Sequence, residues 1–180
     1  VHGLAEHSGR YLNVAEHMVP QGYAVYGLDH LGHGRSDGTR VYVERFSDYT
    51  DTLKTFVDKV RGCQPDKPLF MVGHSLGGLI ATAYLLDHQD DLAGAVLSGP
   101  GVKVPDSVPP ATVAIGKALS TLMPKAGLMQ LDAGGVSRDP AVVDAYVHDP
   151  LVYTGKTSAR LAAEMRKAMQ RVAAEADRIT

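Results

Sequence analysis

FMVGHSLGGLIA, residues 70–81, sets a serine between two glycines in the pattern G-x-S-x-G. An apolar run, Leu69 to Val72, leads into it and reads as a buried strand. Leu76, Leu79, Ile80 and Ala83 follow at helical spacing, so a helix is expected to start at the serine. Strand, serine and helix in direct succession predict a sharp turn that lifts the Ser75 hydroxyl clear of a sheet. The residues two before and two after that serine then come close together. A Cβ at either would clash, which suits Gly73 and Gly77. The turn also puts Ser75 at a helix N-terminus, where free N–H groups and the helix dipole favour negative charge. Ser75 is therefore a candidate nucleophile, and the Leu76 N–H a candidate donor to an oxyanion. The plainer alternative is a serine capping an ordinary strand-to-helix turn.

Working outward, strands and helices alternate. Ala24 to Leu28 reads as a short buried strand, followed by the glycine-rich loop DHLGHGRSDGTR. Tyr49, Leu53, Phe56, Val57 and Val60 lie at helical spacing with Lys and Asp between them, and Ala93 to Ser98 reads as another strand. This spacing predicts an α/β fold with a parallel sheet and right-handed crossovers. After Pro100 the pattern changes. KVPDSVPP is expected to be an irregular connection. Ile115, Ala118, Leu119, Leu122 and Met123 then match a helix, and Asp139-Pro140 an N-cap with proline at the first helical position. Leu161, Met165, Ala168, Met169, Val172 and Ala176 form a further apolar stripe. Three segments are expected: a core part over 1–100, a helical insertion without strands over 101–170 at the sheet's edge, and a return toward the sheet over 171–180.

The chain has 180 residues, 44% of them hydrophobic and 21% charged, with a formal net charge of −2. That is enough chain for one domain with a core. It lacks the clustered excess of Lys and Arg that a nucleic-acid surface requires. No apolar run approaches the ~18 residues that span a bilayer. The single cysteine, Cys63, excludes an internal disulfide and fits a reducing, cytoplasmic setting. The sequence opens on Val1-His2-Gly3 without a methionine and closes on AEADRIT inside a helical pattern. Both ends are expected to be interruptions of a longer fold.

A serine hydroxyl at neutral pH needs a base to take its proton, and a carboxylate to orient that base. In a strand-turn-helix hydrolase the order along the chain is Ser, then Asp or Glu, then His. His88 lies on the helix that Ser75 opens, several turns away. His148 sits in the helical insertion, with Asp139 or Asp144 ahead of it. His74 adjoins Ser75, but neighbours on a tight turn point apart. His2, His7, His30 and His33 precede the serine. None is placed as the base, which is expected outside this chain. The HGLAEH turn supplies a second candidate oxyanion donor, the N–H of Leu4. His30 and His33 lack completing ligands at any metal-site spacing, so they are expected to hydrogen-bond backbone. Asp29 is expected to tie down the loop that follows it. No cofactor or metal is expected.

HGLAEHSGRY, DHLGHGRSDGTR, GHSLGG and SRDPAVVDAYVHDPL occur together in this order. In that order and spacing they resemble the monoacylglycerol lipase group of the α/β-hydrolase superfamily. Lysophospholipases and a serine-aminopeptidase-like branch belong to the same group, and the resemblance covers essentially the whole chain. It implies an α/β-hydrolase core with a helical cap, and an acyl-enzyme formed on Ser75. Leu4 and Leu76 would form the oxyanion hole, and Arg10, His74 and Tyr146 would stand near the polar head of the substrate. That substrate would be a lipid ester, most simply a monoacylglycerol. A lysophospholipid, another carboxylic ester or thioester, or a non-catalytic binding role on the same fold are the alternatives. The stripe from Ile115 to Met123 would meet acyl chains or a lipid interface, giving peripheral membrane contact, or else would pack the cap onto the core. The resemblance places the catalytic Asp and His after the cap, beyond Thr180.

Overall fold

The computed structural model describes residues 1–104 and 108–180, so the middle of the KVPDSVPP connection, residues 105–107, lies outside the described residues. In chain order the helices are α1 (Leu12–Met18), α2 (Ser47–Cys63), α3 (Leu76–His88), α4 (Pro110–Leu122), α5 (Pro140–Val147) and α6 (Ala159–Glu175). The strands are β1 (Phe70–His74), β2 (Gly94–Ser98), β3 (Gly127–Gln130) and β4 (Lys156–Ser158).

β1 and β2 pair in parallel with Phe70 opposite Gly94 and His74 opposite Ser98, crossing over through α3. Val1 lies along the other edge of β1. Its backbone nitrogen donates to the Val72 carbonyl at 2.8 Å and its carbonyl accepts from the His74 N–H at 3.1 Å. Met71 and Gly73 point into the core, whereas Phe70 and Val72 face outward, so β1 is buried on one face rather than two. Ala24 to Leu28 forms no ladder and is mostly exposed, contrary to the strand expected there. β-branched and aromatic content suits a strand, but a strand exists only where a neighbour accepts its hydrogen bonds.

The core sits between α2, α3 and α6. Tyr49, Leu53, Val57 and Val60 recur every three or four residues and bury one face of α2, while Asp51, Asp58 and Lys59 meet water. α3 is buried without a break from Leu76 to Leu86. Leu161, Ala168 and Val172 of α6 close the core from the far side, with Met165 and Met169 partly buried beside them.

Residues 101–170 contain strands that the helical pattern did not announce. β3 and β4 form a short antiparallel pair. Both are brief, and β4 is Lys-Thr-Ser, so neither carries an alternation of apolar and polar residues. α5 begins as expected: the Asp139 carboxylate accepts from the Ala141 N–H at 2.9 Å and Pro140 occupies the first turn. α4 turns Ile115, Ala118 and Leu122 outward, with Met123 exposed just beyond its end. Among the described residues no helix is long and apolar enough to cross a membrane.

Gly77 joins the edge segment to the first turn of α3. A Cβ there would stand 2.2 Å from the Val1 carbonyl oxygen and 2.4 Å from that of His2. Both obstacles are backbone. Gly77→Ala is therefore expected to lower stability by about 3 kcal/mol or more, read as a shift of the urea midpoint. Gly62, inside α2 with nothing within 4 Å of its added Cβ, gives the opposite result. Gly62→Ala is expected to stabilise by roughly 0.5–1 kcal/mol.

Candidate active site around Ser75

Ser75 stands between β1 and α3 with φ 52° and ψ −117°. A non-glycine residue held there costs about 1–3 kcal/mol, which the surroundings must supply. Three hydrogen bonds hold it. The Ser75 N–H donates to the Ser98 carbonyl at 3.1 Å, and the Ser75 carbonyl accepts from Gly101 at 2.9 Å and Leu79 at 3.1 Å. The flanking glycines are required by contact: a Cβ on Gly73 would stand 2.7 Å from the Gly77 carbonyl oxygen. Gly78, outside the motif, is equally pressed, with Pro100 Cβ at 2.7 Å. The Leu76 N–H opens α3 and has no acceptor within the helix.

The His2–His7 turn lies against this serine. A Cβ on Gly3 would be 3.3 Å from Ser75 Cβ and 3.4 Å from the His74 ring. The Gly3 N–H donates to Glu6 Oε1 at 2.6 Å, while the Leu4 N–H has no partner among the described residues. Ala5 adopts φ 65°, a second non-glycine residue in the left-handed region. The structure thus brings Ser75, Leu4 and Leu76 into one neighbourhood.

The polar residues expected near a substrate head fall beside them. The Arg10 guanidinium lies 4.6 Å from the centre of the Tyr146 ring, and its Nε donates to Glu6 Oε2 at 3.0 Å. Glu6 Oε1 also accepts from the Tyr11 hydroxyl at 2.6 Å. Burial, reinforced by that bond to a carboxylate, pushes the Tyr11 hydroxyl far above its usual value. His74 places Nδ1 3.0 Å from the Ser98 carbonyl and its ring 6.4 Å from Tyr11. Sequence reasoning missed Glu6, which gathers Gly3, Arg10 and Tyr11. Its spacing of four from Arg10 signals that one ion pair and neither of the other two partners. A cavity of about 370 Å³ opens nearby, lined by Ala5, Leu131, Tyr146, Tyr153 and Thr157.

No histidine hydrogen-bonds to the Ser75 hydroxyl among the described residues. His88 packs its ring 5.0 Å from Tyr84. His148 is exposed and bonds the Asp144 carbonyl at 3.0 Å through Nδ1. His7 donates through Nε2 to Asp149 at 2.8 Å. Asp29 ties its loop as expected: its carboxylate accepts from the Ser8 N–H at 2.8 Å, the Ser8 hydroxyl at 2.7 Å and the Arg35 N–H at 2.8 Å. Burial pushes the Asp29 carboxyl up, but these donors outweigh it and leave it below the usual range.

A family model described as serine aminopeptidase, S33, matches residues 1–180. The monoacylglycerol lipase of Mycolicibacterium smegmatis is 44% identical over 161 residues, which cover 89% of this chain and 58% of that protein. The monoglyceride lipase of Homo sapiens is 33% identical over 172 residues, covering 95% of this chain and 57% of that one. The crystal structure of Paleococcus ferrophilus monoacylglycerol lipase matches with a TM-score of 0.88 at 34% identity, covering 100% of this chain and 68% of its own. The chain thus spans about three-fifths of the length of these sequence relatives.

Behind the Gly3 turn, three histidine rings share a buried space. His2 lies 4.5 Å from His30 and 5.3 Å from His33, centre to centre. His2 Nε2 accepts from the His30 N–H at 2.9 Å, and its Nδ1 faces the Gly3 carbonyl at 2.8 Å. Those roles require the neutral ring with the proton on Nδ1. Only part of the expected backbone bonding is made: His33 Nδ1 reaches the Leu31 carbonyl, but both ring nitrogens of His30 are buried without a partner among the described residues. Burial holds all three below the usual histidine value, His2 at about 4. Above pH 6.5 these rings are neutral in native and unfolded chain alike. Below it the unfolded chain binds protons that the native one refuses. Stability is expected to fall as pH drops below 6.5 toward 4, by at most about 1.4 kcal/mol per pH unit from His2, with His30 and His33 adding in the same direction. Urea midpoints at pH 7, 6 and 5 measure the slope, and His30→Leu is expected to reduce it by one proton's worth.

Proposed function

This chain belongs to the serine aminopeptidase, S33, family of hydrolases, and on that premise we propose that it carries the nucleophile of a carboxylic ester hydrolase acting on monoacylglycerol. The observation that carries the reading is the strained Ser75 turn with the Gly3 turn seated against it. A binding protein has no use for a serine kept in a costly conformation at a helix N-terminus. In the proposed reaction Ser75 Oγ attacks the ester carbonyl carbon while a base takes its proton. The tetrahedral oxyanion is received by the N–H groups of Leu4 and Leu76. Collapse breaks the ester bond, and the departing glycerol oxygen takes the proton. Water then repeats the sequence and releases the fatty acid. Among the described residues no histidine bonds the Ser75 hydroxyl, so none of them is assigned as the base.

Charge balance supports a glycerol ester over a charged head group. Arg10 is neutralised by Glu6 and stacked on Tyr146, so with His74 it offers a polar surface of little net charge. A lysophospholipid would bring a phosphate that finds its arginine already paired. An aminopeptidase role would need a free carboxylate to hold an amine. Glu6 is occupied by Gly3, Arg10 and Tyr11. The exposed Ile115 and Leu122 of α4 and the neighbouring Met123 are the proposed contact with lipid.

In the full-length enzyme, Ser75→Ala is expected to lower monoacylglycerol hydrolysis by roughly four to six orders of magnitude and to abolish fluorophosphonate labelling. A folded Ser75→Ala protein that keeps its turnover overturns the proposal. The 180-residue chain itself is expected to label slowly. Fast labelling of it, lost in Ser75→Ala, would show that its base is one of the histidines present. The lipid contact is checked separately: Ile115→Glu with Leu122→Glu is expected to reduce co-sedimentation with zwitterionic vesicles several-fold.

A further inference from the structure

The turn that carries Leu4 is gripped from two sides, and one of them is far away in sequence. On its own side Glu6 binds the Gly3 N–H. On the other, the segment from Asp149 to Tyr153 reaches it twice. The Ala5 carbonyl accepts from the Tyr153 N–H at 2.8 Å. His7 Nε2 meets Asp149 Oδ2 at 2.8 Å, with His7 buried and Asp149 partly exposed. The segment is itself braced. Asp149 Oδ1 accepts from the Leu151 N–H at 2.8 Å, and the Asp149 carbonyl accepts from the Val152 N–H at 3.1 Å. Between the two grips sits Ala5, buried and at φ 65° without being a glycine. A residue in that conformation relaxes when its neighbours let go. Its relaxation would rotate the Leu4–Ala5 peptide and the backbone next to Ser75.

We propose that Asp149 is a positioning residue for the reaction: through His7, and together with the Tyr153 N–H, it holds the Leu4–Ala5 turn in the geometry that receives the oxyanion. This rests on the reading of Leu4 as an oxyanion donor. The clamp touches no reacting atom, so it acts on the transition state and not on the resting ester. Losing it costs kcat and leaves KM in place.

The test uses the full-length enzyme with a soluble short-chain ester, comparing Asp149→Ala, Asp149→Asn, His7→Ala and the His7→Ala/Asp149→Ala double variant, with Ser75→Ala as reference. Each alanine variant is expected to lower kcat about tenfold to a hundredfold, a part of what losing a whole oxyanion donor costs, with KM within about twofold. Asp149→Asn falls between, because the amide keeps an acceptor without the charge. The double variant is expected to be no slower than the slower single one, since both remove the same contact. Amide hydrogen exchange over residues 2–8 is expected to quicken in Asp149→Ala while α3 exchanges as before. Unchanged kcat, a change in KM alone, multiplicative losses in the double variant, or unchanged exchange over residues 2–8 each overturn the proposal. If Asp149→Ala does not fold, Asp149→Asn decides by the same measurements. Turnover retained by Ser75→Ala would defeat the reading of the site itself. Its loss beside a fully active Asp149→Ala would defeat only the clamp.

Discussion

Everything around the site depends on one peptide unit kept where it would not stay by itself. Ser75 occupies a backbone conformation that local energetics disfavour, and its N–H and carbonyl are both claimed, by Ser98 on one strand and by Gly101 and Leu79 on two further segments. The strain is therefore a product of tertiary structure. β2 must be in register with β1 for Ser98 to accept, and the chain must pass Pro100 before Gly101 can donate. The glycines follow from the same demand. With the serine fixed, Gly73 and Gly77 are driven together, Gly77 meets the carbonyls of Val1 and His2, and Gly78 meets Pro100. A motif of three letters is the visible part of a contact set involving four segments of chain.

That is why the turn was legible in the sequence and much else was not. Steric exclusion leaves a mark in residue type: only glycine fits, so glycine is written. The helices were legible for a similar reason, because burying one face of α2 or α6 imposes a period of 3.6 on the apolar residues. Ala24 to Leu28 has strand-like composition but no ladder, since pairing belongs to the neighbour and not to the segment. β3 and β4 were hidden for the opposite reason, being short and partly polar. Glu6 was overlooked because its importance lies in three simultaneous partners, which no spacing rule displays. The stripe on α4 was visible as a stripe, while its direction was not. The helix buries Gly116 and Ser120 and leaves Ile115 and Leu122 outside.

Polar groups in this region are held by specific partners. Glu6 is paired with Arg10, Asp149 accepts a hydrogen bond from His7, and the histidines behind the Gly3 turn stay neutral through burial. A neutral setting of low polarity strengthens any interaction with charge that forms transiently, because nothing permanent competes for the same donors. The cost is borne by His30, whose ring nitrogens have no partner among the described residues.

The bond between the Ala5 carbonyl and the Tyr153 N–H spans 148 positions of sequence. Contacts that distant are the slowest to form, because the intervening chain must first lose its freedom. The Ser75 turn, by contrast, draws on residues 70–101 and on the short segment at Val1. The two halves of the site therefore assemble on different clocks. The turn facing Ser75 is held from both sides only once residues 149–153 have docked on it, so that half of the site depends on chain far downstream of the serine.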